Sequence, residues 1–200
     1  NVTVNDIEDP MASCQDVTVQ LDASGVGSIV ASDVNNGSTD NCGIASLAVS
    51  PASFDCTNIS TTNTVTLTVT DNSGNTNTCT SSITVEDNIA PTAVCPTDFT
   101  VDNEPSYCGA FLDITLPVST DNCEVSTTVA DVANGTFIPV GVPETITITA
   151  TDSSGNIDQC SFTVTAIDVE NPMVMCPADV TVNCDPGLCL ATSVTYTLED

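Results

Sequence analysis

Thr70-Asp71-Asn72-Ser73-Gly74-Asn75 returns as Thr151-Asp152-Ser153-Ser154-Gly155-Asn156, 151 − 70 = 81 residues further on. Working outward, Cys79 returns as Cys160, and Asp40-Asn41-Cys42 returns as Asp121-Asn122-Cys123, each again 81 later (160 − 79, 121 − 40). Val2-Thr3-Val4-Asn5-Asp6, Pro10 and Cys14 recur as Ile83-Thr84-Val85-Glu86-Asp87, Pro91 and Cys95, then as Val164-Thr165-Ala166-Ile167-Asp168, Pro172 and Cys176. Self-similarity at one fixed period, held by independent landmarks, indicates a repeat architecture. The period divides the chain into 1–5, the end of a preceding repeat; 6–86 and 87–167, two full repeats; and 168–200, the start of a third. The pattern starts and stops inside a repeat, so a longer parent protein is expected.

Within a repeat, apolar and β-branched residues alternate with polar ones over short stretches, and Asp, Asn, Gly and Pro separate them. In the second repeat the expected strands are Phe99-Thr100-Val101, Ala110 to Leu116, Val125 to Val129, Thr136 to Val140, Thr145 to Thr149 and Ser161 to Ile167. No stretch carries a helical period of useful length. Six or seven short strands per repeat predict an all-β fold of tandem immunoglobulin-like β-sandwich repeats in an elongated array.

Composition narrows the function. The chain has no Lys, Arg or His and 27 carboxylates, for a formal net charge of −27. Side-chain salt bridges are therefore excluded, and self-repulsion disfavours nucleic acid and anionic membranes as partners. Apolar residues make up 40% of the chain and mean hydropathy is +0.19, which suits a packed core rather than a solvated polyacid. Aromatics are only 4%, without Trp, so each core must be small. No apolar run reaches the roughly 18 residues of a membrane span, so direct membrane insertion is not expected. Lacking Lys, the chain cannot form Lys–Asn isopeptide bonds, and lacking Lys and Arg it offers trypsin-like proteases no site.

Eleven cysteines at repeated places predict structural disulfides and an oxidising, extracellular or cell-surface location. No pair has the Cys-x-x-Cys spacing of a zinc site. Early, Asp-Asn-Cys and late cysteines occur in both full repeats, while the fourth moves from Cys56 to Cys108. One partner vanishes as the other arises, which leads to Cys42–Cys56 and Cys108–Cys123, with Cys14–Cys79 and Cys95–Cys160 across the first and last strands. The Cys108–Cys123 pair requires the chain to bend, since one straight strand would part them by roughly 30 Å. Cys184 and Cys189 flank Asp185-Pro186-Gly187, a turn, and their pairing and that of Cys176 stay open.

These landmarks resemble the hyalin repeat (HYR) family. The second repeat carries Cys95-Pro96, Asp121-Asn122, Phe137-Ile138-Pro139-Val140-Gly141, and Ala150-Thr151-Asp152-Ser153-Ser154-Gly155-Asn156 through Cys160-Ser161-Phe162-Thr163-Val164. The third begins Cys176-Pro177. The first departs, with Gln15 after Cys14 and Phe54-Asp55-Cys56 in the Phe turn, a variant similar to repeats of giant gliding and adhesion proteins of Bacteroidetes. The resemblance implies an immunoglobulin-like fold, a stalk or adhesive role in a large surface protein, and export by a type IX secretion route.

The acidic loops are the main site candidates. Asp6, Asp9, Asp40 and Asp71 in the first repeat, with Asn41 and Asn75 beside them, and Glu86, Asp87, Asp121 and Asp152 in the second, with Asn122 and Asn156, should gather where linker and loops converge. Hard oxygen donors at a junction are what Ca²⁺ takes. The alternative is that Asp and Asn cap turns through their own backbone. Paired carboxylates also occur in glycosidases, yet each pair here recurs in every repeat, with no His, Lys, Arg or Trp to assist. No enzymatic activity is expected. Asn1-Val2-Thr3, Asn36-Gly37-Ser38, Asn58-Ile59-Ser60 and Asn134-Gly135-Thr136 match the N-glycosylation sequon by composition as much as by design. Three roles fit the whole: a disulfide-stabilised stalk, a module binding glycans or proteins of another cell, and a subunit of a self-assembling filament or hook. Expected partners are neighbouring repeats, copies of the chain, or surface glycans and proteins.

Overall fold

A computed structural model describes residues 5–174, 179 and 181–187. Val2 to Val4, Cys176 and Cys189 lie outside the described residues. In chain order the elements are β1 Val17–Gln20, β2 Val26–Ser28, a one-turn helix α1 Ala31–Val34, β3 Ile44–Ser50, β4 Ser53–Asp55, a 3-10 turn Cys56–Asn58, β5 Asn63–Asp71 and β6 Thr76–Glu86. The second unit follows with β7 Phe99–Asp102, β8 Gly109–Phe111, β9 Val125–Ala130, β10 Phe137–Pro139, β11 Glu144–Asp152 and β12 Ile157–Ile167.

Each unit faces a four-stranded sheet with a two-stranded one. The orders are β1-β6-β5-β3 over β2-β4, and β7-β12-β11-β9 over β8-β10. First and last strands pair in parallel, Val17 opposite Ile83 and Phe99 opposite Val164. Long strands arise where side chains alternate strictly. In β5, Val65, Leu67 and Val69 are buried while Thr64, Thr66 and Thr68 face away. In β11, Ile146, Ile148 and Ala150 do the same. This period of two is that of a half-buried strand. Phe54 from β4 and Ile138 from β10 close the two cores from the opposite sheet.

The strand expected over Ala110 to Leu116 is shorter, ending at Phe111. Leu112 is still buried at 3%, but beyond it the backbone finds a side chain instead of a strand. The Asn134 amide accepts from the Ile114 N–H and donates to its carbonyl, both at 2.9 Å. The last two strands instead run further than expected, to Asp152 and from Ile157.

Cys14 bonds Cys79 and Cys95 bonds Cys160, both with Cα atoms 5.9 Å apart, tying the segment just ahead of each unit's first strand to its last strand. The remaining expectation is corrected. Cys56 bonds Cys123, and Cys42 and Cys108 are free and exposed. The reason is direction. β3 is antiparallel to β5, β5 to β6, and β6 parallel to β1, so β3 runs the way of β1. β2 reverses after the 22–26 turn, and β4 pairs antiparallel to β2, so β4 continues the direction of β3 in the other sheet. Residues 44–55 are not a hairpin. Seven residues of β3 alone span about 20 Å, which leaves Cys42 at the incoming end of its unit and Cys56 at the outgoing end. Cys108 and Cys123 are parted in the same way, because the chain between them does not bend back. The outgoing end of the first unit meets the incoming end of the second, and there Cys56 and Cys123 bond.

Candidate metal centre

The turn between β5 and β6 is built by Asp71. Its Oδ1 accepts from the N–H of Ser73 at 2.9 Å and of Asn75 at 2.8 Å, and its Oδ2 from the Asn75 side-chain amide at 2.7 Å. Gly74, with φ +94°, supplies the left-handed residue that the tight reversal needs. Asp152 repeats this in the second unit, with Ser154, Asn156 and Gly155. Both aspartates are nearly enclosed, at 1% and 3% exposure. Burial pushes the Asp71 carboxyl up, but the Asn75, Ser73 and Gly74 donors outweigh it and hold the group below its ordinary value.

A loop and a linker bring two further carboxylates to each turn. Asp40 accepts from the Cys42 N–H at 2.8 Å through Oδ2, and Asp121 likewise from Cys123 at 2.8 Å. From the incoming linker come Asp6 and Asp87. Asn75 and Asn156 hold that linker by donating to the carbonyls of Asp6 at 3.3 Å and Asp87 at 2.9 Å. The result is two triads, Asp6-Asp40-Asp71 and Asp87-Asp121-Asp152, each with one oxygen per residue and all within 4.8 Å of one another.

Both turn chemistry and an unmet demand are present. One oxygen of each cap is used by its own backbone. The other oxygens of Asp6, Asp40, Asp87 and Asp121 (Oδ2, Oδ1, Oδ2 and Oδ1) are buried without a hydrogen-bond partner. Asn122 Oδ1 is unpartnered too, and Asp87 as a whole is 4% exposed. Leaving a buried polar group unpaired costs about 1–3 kcal/mol, more for a charge, and no Lys, Arg or His exists to pair with any of them. Ca²⁺–oxygen distances of about 2.3–2.6 Å place two ligand oxygens on one ion within about 5 Å of each other, the spacing seen here. The donor set fits a hard divalent cation.

Of the eight candidates read from sequence, Asp9 and Glu86 do not join. Both are exposed, and Glu86 accepts from Gln20 at 2.7 Å instead. Asn122, grouped with Asp121 from sequence, does join. Its amide donates to Asp87 Oδ1 at 3.1 Å and to the Asp22 carbonyl of the first unit at 3.2 Å, so the second centre is tied to the neighbouring unit. Cys42 borders the first centre, where the hydrogen-bonded Asp6 carboxylate, loss of some hydration and the charges of Asp6, Asp40 and Asp71 push its thiol above the ordinary value.

Comparison with known proteins agrees with an extracellular module. Residues 86–166 match the HYR domain family. Over 75 residues the chain is 39% identical to hyalin of Strongylocentrotus purpuratus, covering 36% of this chain and 6% of hyalin. Among solved structures, Drosophila N-cadherin EC1-4 aligns with a TM-score of 0.40 at 14% identity, covering 80% of this chain and 49% of that one. Mouse cadherin-23 EC22-24 gives 0.36 at 16%, covering 80% and 65%. The titin domains z1z2 in complex with telethonin give 0.36 at 13%, covering 84% and 100%. Among the described residues, no helix is long and apolar enough to cross a membrane.

Proposed function

We propose that this chain, whose residues 86–166 match the HYR domain, is a non-catalytic stretch of an extracellular stalk in which 81-residue sandwiches stand in series and Ca²⁺ at each unit's incoming end stiffens the joint. The observation that carries the reading is the Asp87-Asp121-Asp152 triad, with its buried unpartnered oxygens at the point where linker and second unit meet. Asp87 and Asp121 would hold the ion with Asp152 and the Asn122 side-chain Oδ1, and the ion would supply the missing positive charge. The linker supports stiffness as well: Asp87-Asn88-Ile89-Ala90-Pro91 is short, contains no Gly and is pinned by Asn156. Surface location, export by a type IX route and assembly with copies of itself in a fibre belong to the same proposal.

The test is thermal unfolding of the oxidised chain in millimolar Ca²⁺ and in EGTA. Binding to the native state alone stabilises by about 2.7 kcal/mol at a hundredfold excess over Kd, so Tm should rise clearly with Ca²⁺ and not with equal Na⁺. An unchanged Tm would sink the calcium-stiffened stalk and leave the aspartates as turn caps.

One observation favours a second reading, a module that binds glycans or proteins. Tyr107, Phe111 and Phe137 form an exposed edge-to-face row with centroids 5.9 and 5.4 Å apart on the second unit. Loss of adhesion to a glycan surface on changing Phe111 to Ser, with Tm unmoved, would support it.

A further inference from the structure

The Cys56–Cys123 bond joins the outgoing end of one unit to the incoming end of the next. Of the cysteines free among the described residues, Cys42, Cys108 and Cys184, the first two occupy places that match its two halves. Cys42 is to the first unit what Cys123 is to the second. Each closes an Asp-Asn-Cys loop, with its N–H held by the aspartate Oδ2 at 2.8 Å. Unlike Cys123, it has no disulfide partner and is exposed.

Cys108 matches the other half by a less direct route. The two-stranded sheets of the two units superpose through their buried middle residues, Phe54 opposite Gly27 and Ile138 opposite Ala110. Two residues before those rungs lie Gly25 and Cys108; two residues beyond Phe54 and Ile138 lie Cys56 and Val140. Cys56 Sγ lies 3.7 Å from the Gly25 carbonyl and 3.8 Å from that of Asn122. A Cβ on Gly25 would fall 2.7 Å from this sulfur and 2.8 Å from the Asn122 oxygen. The first unit thus keeps position 25 bare so that a sulfur from across the rung can occupy the space. The second unit has Val140 where that cysteine would be, and Cys108 at the place of the bare glycine. Either strand delivers sulfur to one spot, the face that meets the next unit's Asp-Asn-Cys loop. In the first repeat the cysteine that moves, Cys56, serves a bond across the joint and not one within its own unit.

We propose that Cys108 and Cys42 are the outgoing and incoming halves of disulfides to flanking units of the same kind. Cys108 takes the Asp-Asn-Cys cysteine of a unit that follows the second, and Cys42 takes a cysteine from the outgoing end of a unit that precedes the first. The two thiols each give up a proton and together two electrons to a small-molecule disulfide such as oxidised glutathione, which leaves as two thiols while the new S–S bond forms. The inference rests on the reading of the chain as units in series, and its test separates the two.

The test is a longer chain in which residues 1–167 are followed directly by residues 6–200, which preserves the 81-residue register because 168 and 6 are equivalent positions (168 − 6 = 2 × 81). It is folded in a glutathione redox buffer, alkylated, digested with pepsin and mapped by mass spectrometry. Cys108 of the leading copy should be found bonded to Cys42 of the trailing copy, while Cys42 of the leading copy and Cys108 of the trailing one are alkylated. Cys56–Cys123 in each copy reports that the joints have formed. If those bonds are present and the central Cys108 and Cys42 are alkylated, or bonded elsewhere, the inference is overturned and the serial reading survives. If Cys56–Cys123 is itself missing, both fall. A Cys108→Ser version should restore full alkylation of the trailing Cys42, and a new partner for that thiol would also count against the proposal.

Discussion

The two units differ most at the acidic centre. Asp87 of the second is buried, while Asp6 of the first is half-buried. Asn122 bridges Asp87 to the first unit's Asp22 carbonyl, whereas its equivalent Asn41 is exposed and donates to Glu8 at 2.7 Å. The carboxylates and their turns are otherwise alike. The second centre is packed against the first unit, held there by the Cys56–Cys123 bond that reaches into the loop bearing Asp121. On the proposed reading, cation affinity and unit-to-unit contact should therefore be linked.

The largest effects break the units themselves. Leu67→Ala in one core and Ile148→Ala in the other each remove a fully buried side chain and should cost about 2–5 kcal/mol. If the joint couples the units, either variant lowers one shared calorimetric transition; two separated transitions would show that they melt alone. Next, replacing Cys14 and Cys79, or Cys95 and Cys160, with Ser should cost about 2–4 kcal/mol per bond, similar in both units, read by denaturant midpoint. A third comparison bears on the centre. Asn156→Ala removes the amide that orients Asp152 and the linker, and loss of such outer partners costs about 10–100-fold in metal affinity. By calorimetric titration, Asn156→Ala should weaken the tighter class of sites and Asn75→Ala the weaker one, and Cys56→Ser should narrow the gap between them.

The smallest effect is acid sensitivity at the outgoing end of the first unit. Hydrogen bonds from the Ser24 side chain, and from Ser24 and Val26 N–H groups, hold Asp22 below its ordinary value, and those from Thr57 do so for Asp55. A carboxyl whose folded value is depressed stabilises the fold above its unfolded value and loses that contribution as pH falls through the folded one. The second unit has Glu104 and Pro139 at these places. Below about pH 4, amide exchange should therefore quicken in residues 22–26 and 55–58 more than at the matching places of the second unit, and Asp22→Asn with Asp55→Asn should flatten that dependence.

Much of this was legible because the period converts one unit's pattern into another's. Strict alternation identified β5, β6, β11 and β12, and adjacent first and last strands place Cys14 beside Cys79. Asp6, Asp40 and Asp71 could be grouped because linker and turns converge at one end of a sandwich. Glu86 was misplaced by the same alternation that defines β6: Val85 and Asp87 point inward, so Glu86 points out. The Cys56–Cys123 bond was not legible. Cysteines that come and go together look the same whether they bond within a repeat or serve one bond across a boundary, and only strand direction tells these apart. Asn122 could be placed beside Asp121, but its hold on the first unit was hidden because the Asp22 carbonyl is backbone and leaves no mark on sequence.

The disulfides also set how the chain behaves under tension. A pull from Asp6 to Asp168 travels to Cys14, crosses to Cys79, follows the linker to Cys95 and crosses to Cys160. Each crossing skips a detour of 65 residues. The sandwiches can come apart without releasing those detours to the pull, so such a rod behaves as a cable, not a spring, and transmits force with little slack even when its cores have failed.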